Sequence, residues 1–279
     1  MNKLFLSLII LIHVFILSKL IFFPYPELFI YPYLTNQGLL PYSQILDQHF
    51  PGLMFLPINF DNLGMTNEVI ARWWLIGIVI LTHLLLFFIS RYILKNDFKA
   101  LLVNLLYLIW QPFFEGWVLW IDNFLPLFLL PAFYFLLRSK LFLTGIFLGL
   151  GIIFKQTIIP LSFLIFIYVL WTEKSFKKVA NYLLGLGILP VCMLLYFNGL
   201  GVLNDFWYWT VIFNLTVYAQ SGTQIPTSFG FISRILMVYL ASLSALLYTE
   251  RRLKIILFLF LIGSLAGAFD RANFVHFQP

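Results

Sequence analysis

Charged residues are scarce in this sequence of 279 residues. They make up 10% of the chain, whereas about a quarter of the residues in a typical soluble domain are charged. Hydrophobic residues make up 62%, and the mean hydropathy is +0.97. This composition excludes a soluble globular domain and indicates that a lipid bilayer surrounds most of the chain.

Cysteine and histidine are scarce as well. A single cysteine excludes an internal disulfide and a cysteine-based metal site, and the four histidines lack the spacing of a metal-binding motif. No glycine-rich phosphate loop, nucleophile elbow or HExxH motif is present. His13 and His83 stand alone within apolar segments, so we predict that they are packing residues. We also predict that the protein has no metal and no cofactor.

Long apolar runs fill most of the sequence. A membrane-spanning helix needs roughly 20 apolar residues, and the chain contains about nine such segments. The predicted spans are residues 4–23, 72–93, 100–114, 118–137, 141–155, 157–172, 179–197, 231–249 and 253–269. These runs lack the alternation of a membrane β-barrel. We therefore predict an all-α fold, a polytopic transmembrane helical bundle that forms a single domain over residues 1–279.

Basic residues concentrate in alternate loops of this arrangement. Cytoplasmic loops carry an excess of Lys and Arg, which predicts a cytoplasmic N-terminus. The predicted inner loops contain Lys3, Arg91, Lys95, Lys99, Arg138, Lys140, Lys174, Lys177, Lys178, Arg251, Arg252 and Lys254. The net charge of +6 therefore predicts contact with membrane lipids rather than with nucleic acid.

Two predicted outer loops, residues 24–71 and 198–230, are much longer than typical connections. Both are rich in Trp, Tyr, Phe and Pro, which favours short helices at the level of the lipid headgroups. Because long ordered loops are often functional, the outer face is the predicted working face. The second loop contains the sequon Asn214-Leu215-Thr216, which matters only in a host that glycosylates such sites.

Ionisable residues beside apolar segments are functional candidates, because an unpaired charge in a membrane costs several kcal/mol. Glu27 directly follows the first span, and Asp122 lies where a later span begins. Both are candidate catalytic carboxylates. The alternative for Glu27 is a solvated loop acid, and the alternative for Asp122 is a helix N-cap.

Two of the basic residues outside the predicted inner loops are candidate phosphate ligands. Lys155 lies between two spans, and Arg271 lies close to the end of the chain. The planar guanidinium of Arg suits phosphate, so the two residues together would hold a phosphate at the membrane surface. Alternatively, Lys155 extends to the headgroups and Arg271 pairs with an acid such as Asp270.

A carboxylate and an imidazole lie two positions apart in the first outer loop, at Asp47 and His49. Residues i and i+2 do not face each other on a helix. Their spacing is therefore weak evidence for a pair.

Four of these features, in order along the chain, resemble the GT-C fold glycosyltransferases that use polyprenyl-phosphate sugars. The resemblance is to the branch of protein O-mannosyltransferases and aminoarabinose transferases. It rests on the acid after the first span with segments 36–42 and 47–53, on Asp122, on segment 149–157 around Lys155, and on Arg271 with His276 and Pro279.

The resemblance implies an enzyme that takes a sugar from a polyprenyl phosphate on the extracytoplasmic side, usually with inversion and without a required metal. The acceptor is a hydroxyl of a protein, lipid or glycan. Glu27 would be the general base, Asp122 would orient the acceptor or the base, and Lys155 and Arg271 would bind the donor phosphate. The implied substrate-binding residues are Tyr42, Asp47, His49, Gln156 and His276.

The sequence departs from the family pattern in three respects. Pro26-Glu27 stands where an acid pair is common, and Gln44 stands where an acid often follows the Pro-Tyr turn. Family members are also usually longer, with further spans and often an outer domain. We therefore expect a fragment, a truncated gene product or a minimal homologue.

Two other classes of function stay open from the sequence: a transporter or lipid flippase, and a non-catalytic membrane scaffold. Transporters place ionisable groups near the midplane, often in related halves. In this chain they lie at the outer ends of the spans and no halves resemble each other, which favours the enzyme.

Overall fold

The structure, a computed structural model, describes residues 2–113, 116–217, 240–244, 246, 247 and 249–269. The chain divides into two compact units. Unit 1 comprises Met1–Leu39 and Pro51–Pro131, and unit 2 comprises Leu40–Phe50 and Ala132–Phe277. The described residues are mostly helical, in agreement with the predicted all-α class.

Unit 1 is built on a long helix that the sequence delimits clearly. Its helices are α1 (Asn2–Lys19), α2 (Glu27–Asn36), α3 (Glu68–Leu94) and α4 (Asp97–Phe113), followed by the start of α5 (Leu125–Leu137). Helix α3 begins where the side chain of Asn67 accepts a hydrogen bond from the backbone N–H of Ile70 at 3.1 Å. It ends at Lys95, whose φ of 49° is left-handed. Helices α1, α3 and α4 pack against one another.

A two-stranded parallel sheet joins distant parts of unit 1. Strand β1 (Phe23–Pro24) pairs with β2 (Val118–Leu119), with Phe23 opposite Val118 and Pro24 opposite Leu119. A 3₁₀ helix, Ile121–Phe124, follows β2. The prediction of one continuous helix over residues 118–137 is therefore wrong, because the chain first pairs with β1 and turns before α5 begins.

The two histidines within the predicted spans of unit 1 contact each other. His13 Nδ1 lies 2.9 Å from His83 Nε2, and both residues are buried. The remaining ring nitrogens reach side-chain amides, with His13 Nε2 at 2.9 Å from Gln111 Oε1 and His83 Nδ1 at 2.8 Å from Asn104 Oδ1. They are packing residues as predicted, but they do not stand alone, since three helices bring them into one polar network.

Unit 2 contains the end of α5 and the remaining helices. These are α6 (Leu141–Phe154), α7 (Ile159–Thr172), α8 (Phe176–Gly199), α9 (Leu203–Trp207), α10 (Phe213–Thr216) and α11 (Arg251–Phe269). A 3₁₀ turn, Gln156–Ile158, links α6 to α7, and a π-helical turn, Tyr208–Ile212, links α9 to α10.

Glycines allow α6 and α8 to approach closely. A Cβ at Gly149 would lie 2.7 Å from the carbonyl oxygen of Leu186, and one at Gly145 would collide with the carbonyl of Tyr182. On α8, a Cβ at Gly185 would collide with the carbonyl of Phe142. Small residues spaced four apart are typical of packed membrane helices, where close backbone contact replaces the hydrophobic effect.

The predicted spans are partly confirmed. Helices occupy most of each predicted span, except residues 20–23, residues 118–124 and the segment 231–249, most of which lies outside the described residues. Within the part of the chain that the structure describes, α3 and α8 are the two helices long and apolar enough to cross a membrane. The helices at Ile121–Leu137, Leu141–Phe154 and Gln156–Thr172 are apolar but shorter. The number of nine spans stays a prediction.

Candidate active site

The pairing of β1 with β2 brings Glu27 and Asp122 to the same end of the sheet. Each acid lies three residues beyond a paired position, Glu27 after Pro24 and Asp122 after Leu119. The N–H of Tyr25 continues the pairing by donating to the carbonyl of Leu119 at 3.2 Å. Glu27 and Asp122 are far apart in the sequence, but they follow the same end of the sheet at equivalent positions.

Glu27 is the first residue of α2 and its carboxylate is only partly accessible. Its Oε2 is buried and accepts no hydrogen bond from the residues that the structure describes. A fully solvated loop acid would have both oxygens in water, which Oε2 is not. A buried carboxylate oxygen without a donor is energetically costly, and a catalytic role is one explanation for it.

Asp122 is the second residue of the 3₁₀ helix Ile121–Phe124, which precedes α5. The side chain of Asn123 accepts the hydrogen bond from the backbone N–H of Trp120 at 2.8 Å, so Asn123 provides the capping contact. The role of Asp122, catalytic or capping, stays a prediction. Its Oδ2 is buried within the first turn of the 3₁₀ helix.

Asp47 and His49 form a hydrogen-bonded pair in unit 2. His49 Nδ1 lies 2.7 Å from Asp47 Oδ1, and the backbone N–H of His49 donates to the same oxygen at 2.7 Å. The helical argument against this pair does not apply, because residues 47–49 form a turn in which an Asp side chain reaches the backbone two residues on. The carboxylate accepts, so Nδ1 of His49 carries the proton.

Tyr42 is fully buried beneath this pair. Its ring packs edge-on against Phe197 and Phe206, at centroid distances of 5.3 and 5.2 Å, and its hydroxyl donates to the carbonyl of His49 at 3.0 Å. Burial and then the negative charge of Asp47 raise the pKa of Tyr42 well above its usual value of 10.0. Tyr42 therefore acts as a neutral support for the turn.

Gln156 connects the loop of residues 40–50 to the helix break that carries Lys155. Gln156 Nε2 donates to the carbonyl of Gln48, and its Oε1 accepts from the N–H of Phe50, both at 3.3 Å. Lys155 is half-buried and extended, with φ −152°, where α6 ends. Unit 2 thus places Lys155 next to the loop that contains Asp47 and His49.

Asn214 also holds this loop, which the sequence did not predict. Its amide donates to the carbonyls of Gln48 and Thr210, both at 2.8 Å, and only 2% of the residue is exposed. The Asn214 amide is therefore not accessible for glycosylation in the folded protein. The sequon offered no signal of this role.

Gln44 also has a structural role in the loop. Its Oε1 accepts from the N–H of Leu40 at 2.8 Å and closes a turn.

Two predicted site residues, Arg271 and His276, lie outside the described residues. Among the residues that the structure does describe, no three His, Cys, Asp or Glu side chains come together in a metal-binding group.

Each unit has apolar helices with polar side chains near the helix ends. The profile of the family described as dolichyl-phosphate-mannose-protein mannosyltransferase matches residues 49–197, more than half of the chain. The chain belongs to this family of GT-C type membrane glycosyltransferases. The matched segment contains His49, Asp122, Lys155 and Gln156. No curated protein and no solved structure matches the chain.

Proposed function

We propose that this protein transfers a sugar from a polyprenyl-phosphate donor to a hydroxyl group on the extracytoplasmic face of a membrane. The family membership carries the proposal, and the family description favours mannose as the sugar and a protein as the acceptor. Lipid and glycan hydroxyls are the alternative acceptors. A transporter, flippase or scaffold has no corresponding support from the family.

Glu27 is the proposed general base. The acceptor oxygen attacks the anomeric carbon, the bond from that carbon to the phosphate oxygen breaks, and the hydroxyl proton passes to the Glu27 carboxylate. A base must present a lone pair to its substrate, and the buried Oε2 has no donor among the described residues. Asp122, at the same sheet end, is proposed to orient the acceptor or the base.

Lys155 and Arg271 are proposed to hold the phosphate of the donor. The leaving polyprenyl phosphate develops negative charge, and fixed cations at a low-dielectric boundary stabilise that charge more than they would in water. The contacts of Gln156 with the 40–50 loop support a substrate-binding role for this region. The proposed substrate-binding residues are Tyr42, Asp47, His49, Gln156 and His276.

Donor turnover tests the proposal. The purified protein is placed in lipid with a set of polyprenyl-phosphate sugars and an acceptor peptide, and release of polyprenyl phosphate is followed. We expect Glu27→Gln to lower turnover by about 10²–10⁴-fold, because the amide accepts no proton, while donor affinity stays close to that of the wild type. Glu68→Gln, at an exposed acid that starts α3, is the matched control and should retain activity.

Donor affinity separates the phosphate ligands from the base. Lys155→Ala should weaken binding of polyprenyl phosphate, whereas the exposed Lys19→Ala should not. Full activity of Glu27→Gln would remove this residue from the base role. A folded wild-type protein that neither binds polyprenyl phosphate nor turns over any donor would contradict the proposed function.

A further inference from the structure

A second polar pocket lies in unit 2, at the opposite end of α6 from Lys155. It has a volume of about 550 Å³ and is formed by the end of α5, the start of α6, the end of α7 and the start of α11. Its lining includes Ser139, Tyr168, Trp171, Glu173, Arg251 and Arg252. Helix α6 has 14 residues, so about 20 Å of helix separates this pocket from Lys155. The pocket is distinct from the candidate active site.

Arg252 is anchored in the wall of this pocket. Its Nη2 donates to the hydroxyl of Ser139 at 2.7 Å and to the carbonyl of Leu136 at 3.4 Å. An Arg side chain has five N–H donors, so these contacts orient the guanidinium and leave Nε and Nη1 for a ligand. Arg251 adds a second positive charge to the lining.

Ser139 occupies a backbone conformation that favours glycine. Its φ is +54°, and it terminates α5 in a Schellman motif, with the N–H of Lys140 donating to Phe135 and that of Ser139 donating to Leu136. Glycine is the usual residue at such a position. A serine offers what glycine lacks, the hydroxyl that contacts Arg252. A strained residue with a specific side-chain contact indicates a function for that contact.

The pocket is positively charged and borders the membrane. Glu173 lies in the lining, but Lys178 Nζ pairs with its Oε2 at 2.6 Å, so the two arginines leave an excess of positive charge. Trp171 is 72% exposed, and tryptophan is enriched where a protein surface meets lipid headgroups. The neighbouring helix ends belong to the loops that are predicted to be cytoplasmic.

We propose that this pocket binds the phosphate of an anionic phospholipid headgroup. Arg251 and Arg252 pair with the phosphate oxygens, and Trp171 lies beside the upper part of the acyl chains. Basic pockets between membrane helices on the cytoplasmic side are suited to anionic headgroups, and the planar Arg fork suits phosphate better than the point charge of Lys. Free phosphate has the same chemistry, but the position of Trp171 favours a lipid.

Quenching of tryptophan fluorescence by brominated lipids tests the proposal. The full chain is reconstituted in phosphatidylcholine discs that contain a fixed fraction of brominated phosphatidylglycerol or brominated phosphatidylcholine. Each protein is paired with its Trp171→Phe counterpart, and the difference isolates the signal of Trp171. We expect the anionic lipid to quench Trp171 at an apparent affinity about fivefold higher or more.

Three variants separate the pocket from general charge attraction. Arg252→Gln should lose most of the preference for phosphatidylglycerol, and Arg252→Lys should lose it in part. The exposed Lys177→Gln removes the same charge outside the pocket lining and should leave the preference unchanged. Ser139→Gly should weaken the preference without lowering the unfolding midpoint, because glycine relieves the left-handed backbone while the hydroxyl is lost.

Three results would overturn the proposal. One is equal quenching by the two brominated lipids. Another is an equal loss of preference in Lys177→Gln and Arg252→Gln. The third is displacement of the lipid by millimolar glycerol 3-phosphate, which would identify a site for small anions. None of these measurements depends on sugar transfer, so the proposal stands or fails independently of the proposed function.

Discussion

Tyr42 shows how a single residue can fix the geometry of a polar loop. Its backbone lies in the left-handed region with φ +62°, its ring packs edge-on against two phenylalanine rings, and its hydroxyl donates to the carbonyl of His49. The same burial that positions the ring also keeps the phenol protonated. The support therefore depends on pH only in the alkaline range.

Alkaline unfolding of Tyr42→Phe tests this role. Above about pH 10, the unfolded chain releases the phenolic proton while buried Tyr42 retains it, so the free energy of unfolding of the wild type falls as pH rises. Relative to Tyr42→Phe, the wild type should lose up to about 1.4 kcal/mol per pH unit above pH 10. At neutral pH the variant should be less stable by about 1 kcal/mol, the value of one hydrogen bond. Parallel curves from pH 8 to 11 in detergent unfolding would contradict the raised pKa.

The sequence shows residue types and spacings but not backbone conformation. Some features of the individual residues could therefore be predicted and others could not. The place of Glu27 after an apolar run makes it a candidate, whereas the burial of its Oε2 is visible only in the structure, and its catalytic role stays a prediction. The spacing argument against a pair of Asp47 and His49 assumes a helix, but the two residues lie in a turn, in which their side chains meet. Asn214 lies 166 positions from its partner Gln48, and no local pattern encodes that contact.

At the scale of elements, the main chains of α6 and α8 are in direct contact. Gly145, Gly149 and Gly185 face the partner helix so closely that any side chain would meet main-chain atoms. Main-chain atoms cannot move aside as flexible side chains do. The contact should therefore tolerate no added methyl group.

Gly185→Ala is the sharpest change at this contact. The new Cβ would collide with the carbonyl of Phe142, and we expect a loss of about 1–3 kcal/mol in the free energy of unfolding. Gly187→Ala, on the same helix, is the control because nothing lies within 4 Å of its added Cβ. Detergent titration of the two variants measures the difference, and equal stabilities would show that the helices are not in close contact.

The helices themselves were largely predictable, whereas the sheet was not. Apolar runs of sufficient length mark helices in a membrane protein because every backbone group must be satisfied within the segment. Strands β1 and β2 have two residues each, too few to show an alternating pattern, and their partners are distant in sequence. The matching positions of Glu27 and Asp122 depend on that pairing, so only the structure reveals them.

At the scale of the whole molecule, the distribution of basic residues predicts orientation. Positive charge in alternate loops places the N-terminus and Lys177 in the cytoplasm and places Asn204 outside. The family membership agrees with a membrane-integral protein, and the orientation stays a prediction.

Labelling of introduced cysteines tests this orientation. Cys192 is the single native cysteine, so Cys192→Ser gives a background without thiols. In that background, a membrane-impermeant maleimide should label Asn204→Cys in intact cells and should label Lys177→Cys only after permeabilisation. The reverse pattern would place Lys155 on the cytoplasmic side and would contradict an extracytoplasmic active site.

The pairing of β1 with β2 also determines when during synthesis the sheet can form. Strand β1 leaves the ribosome first and has no partner until β2 follows, about 95 residues later, which takes about 5–20 s at usual rates of synthesis. Helices α3 and α4 are synthesised during that interval. The sheet is therefore among the later features of unit 1 to assemble, and a nascent chain interrupted before Val118 would carry Glu27 without the strand that brings Asp122 to the same sheet end.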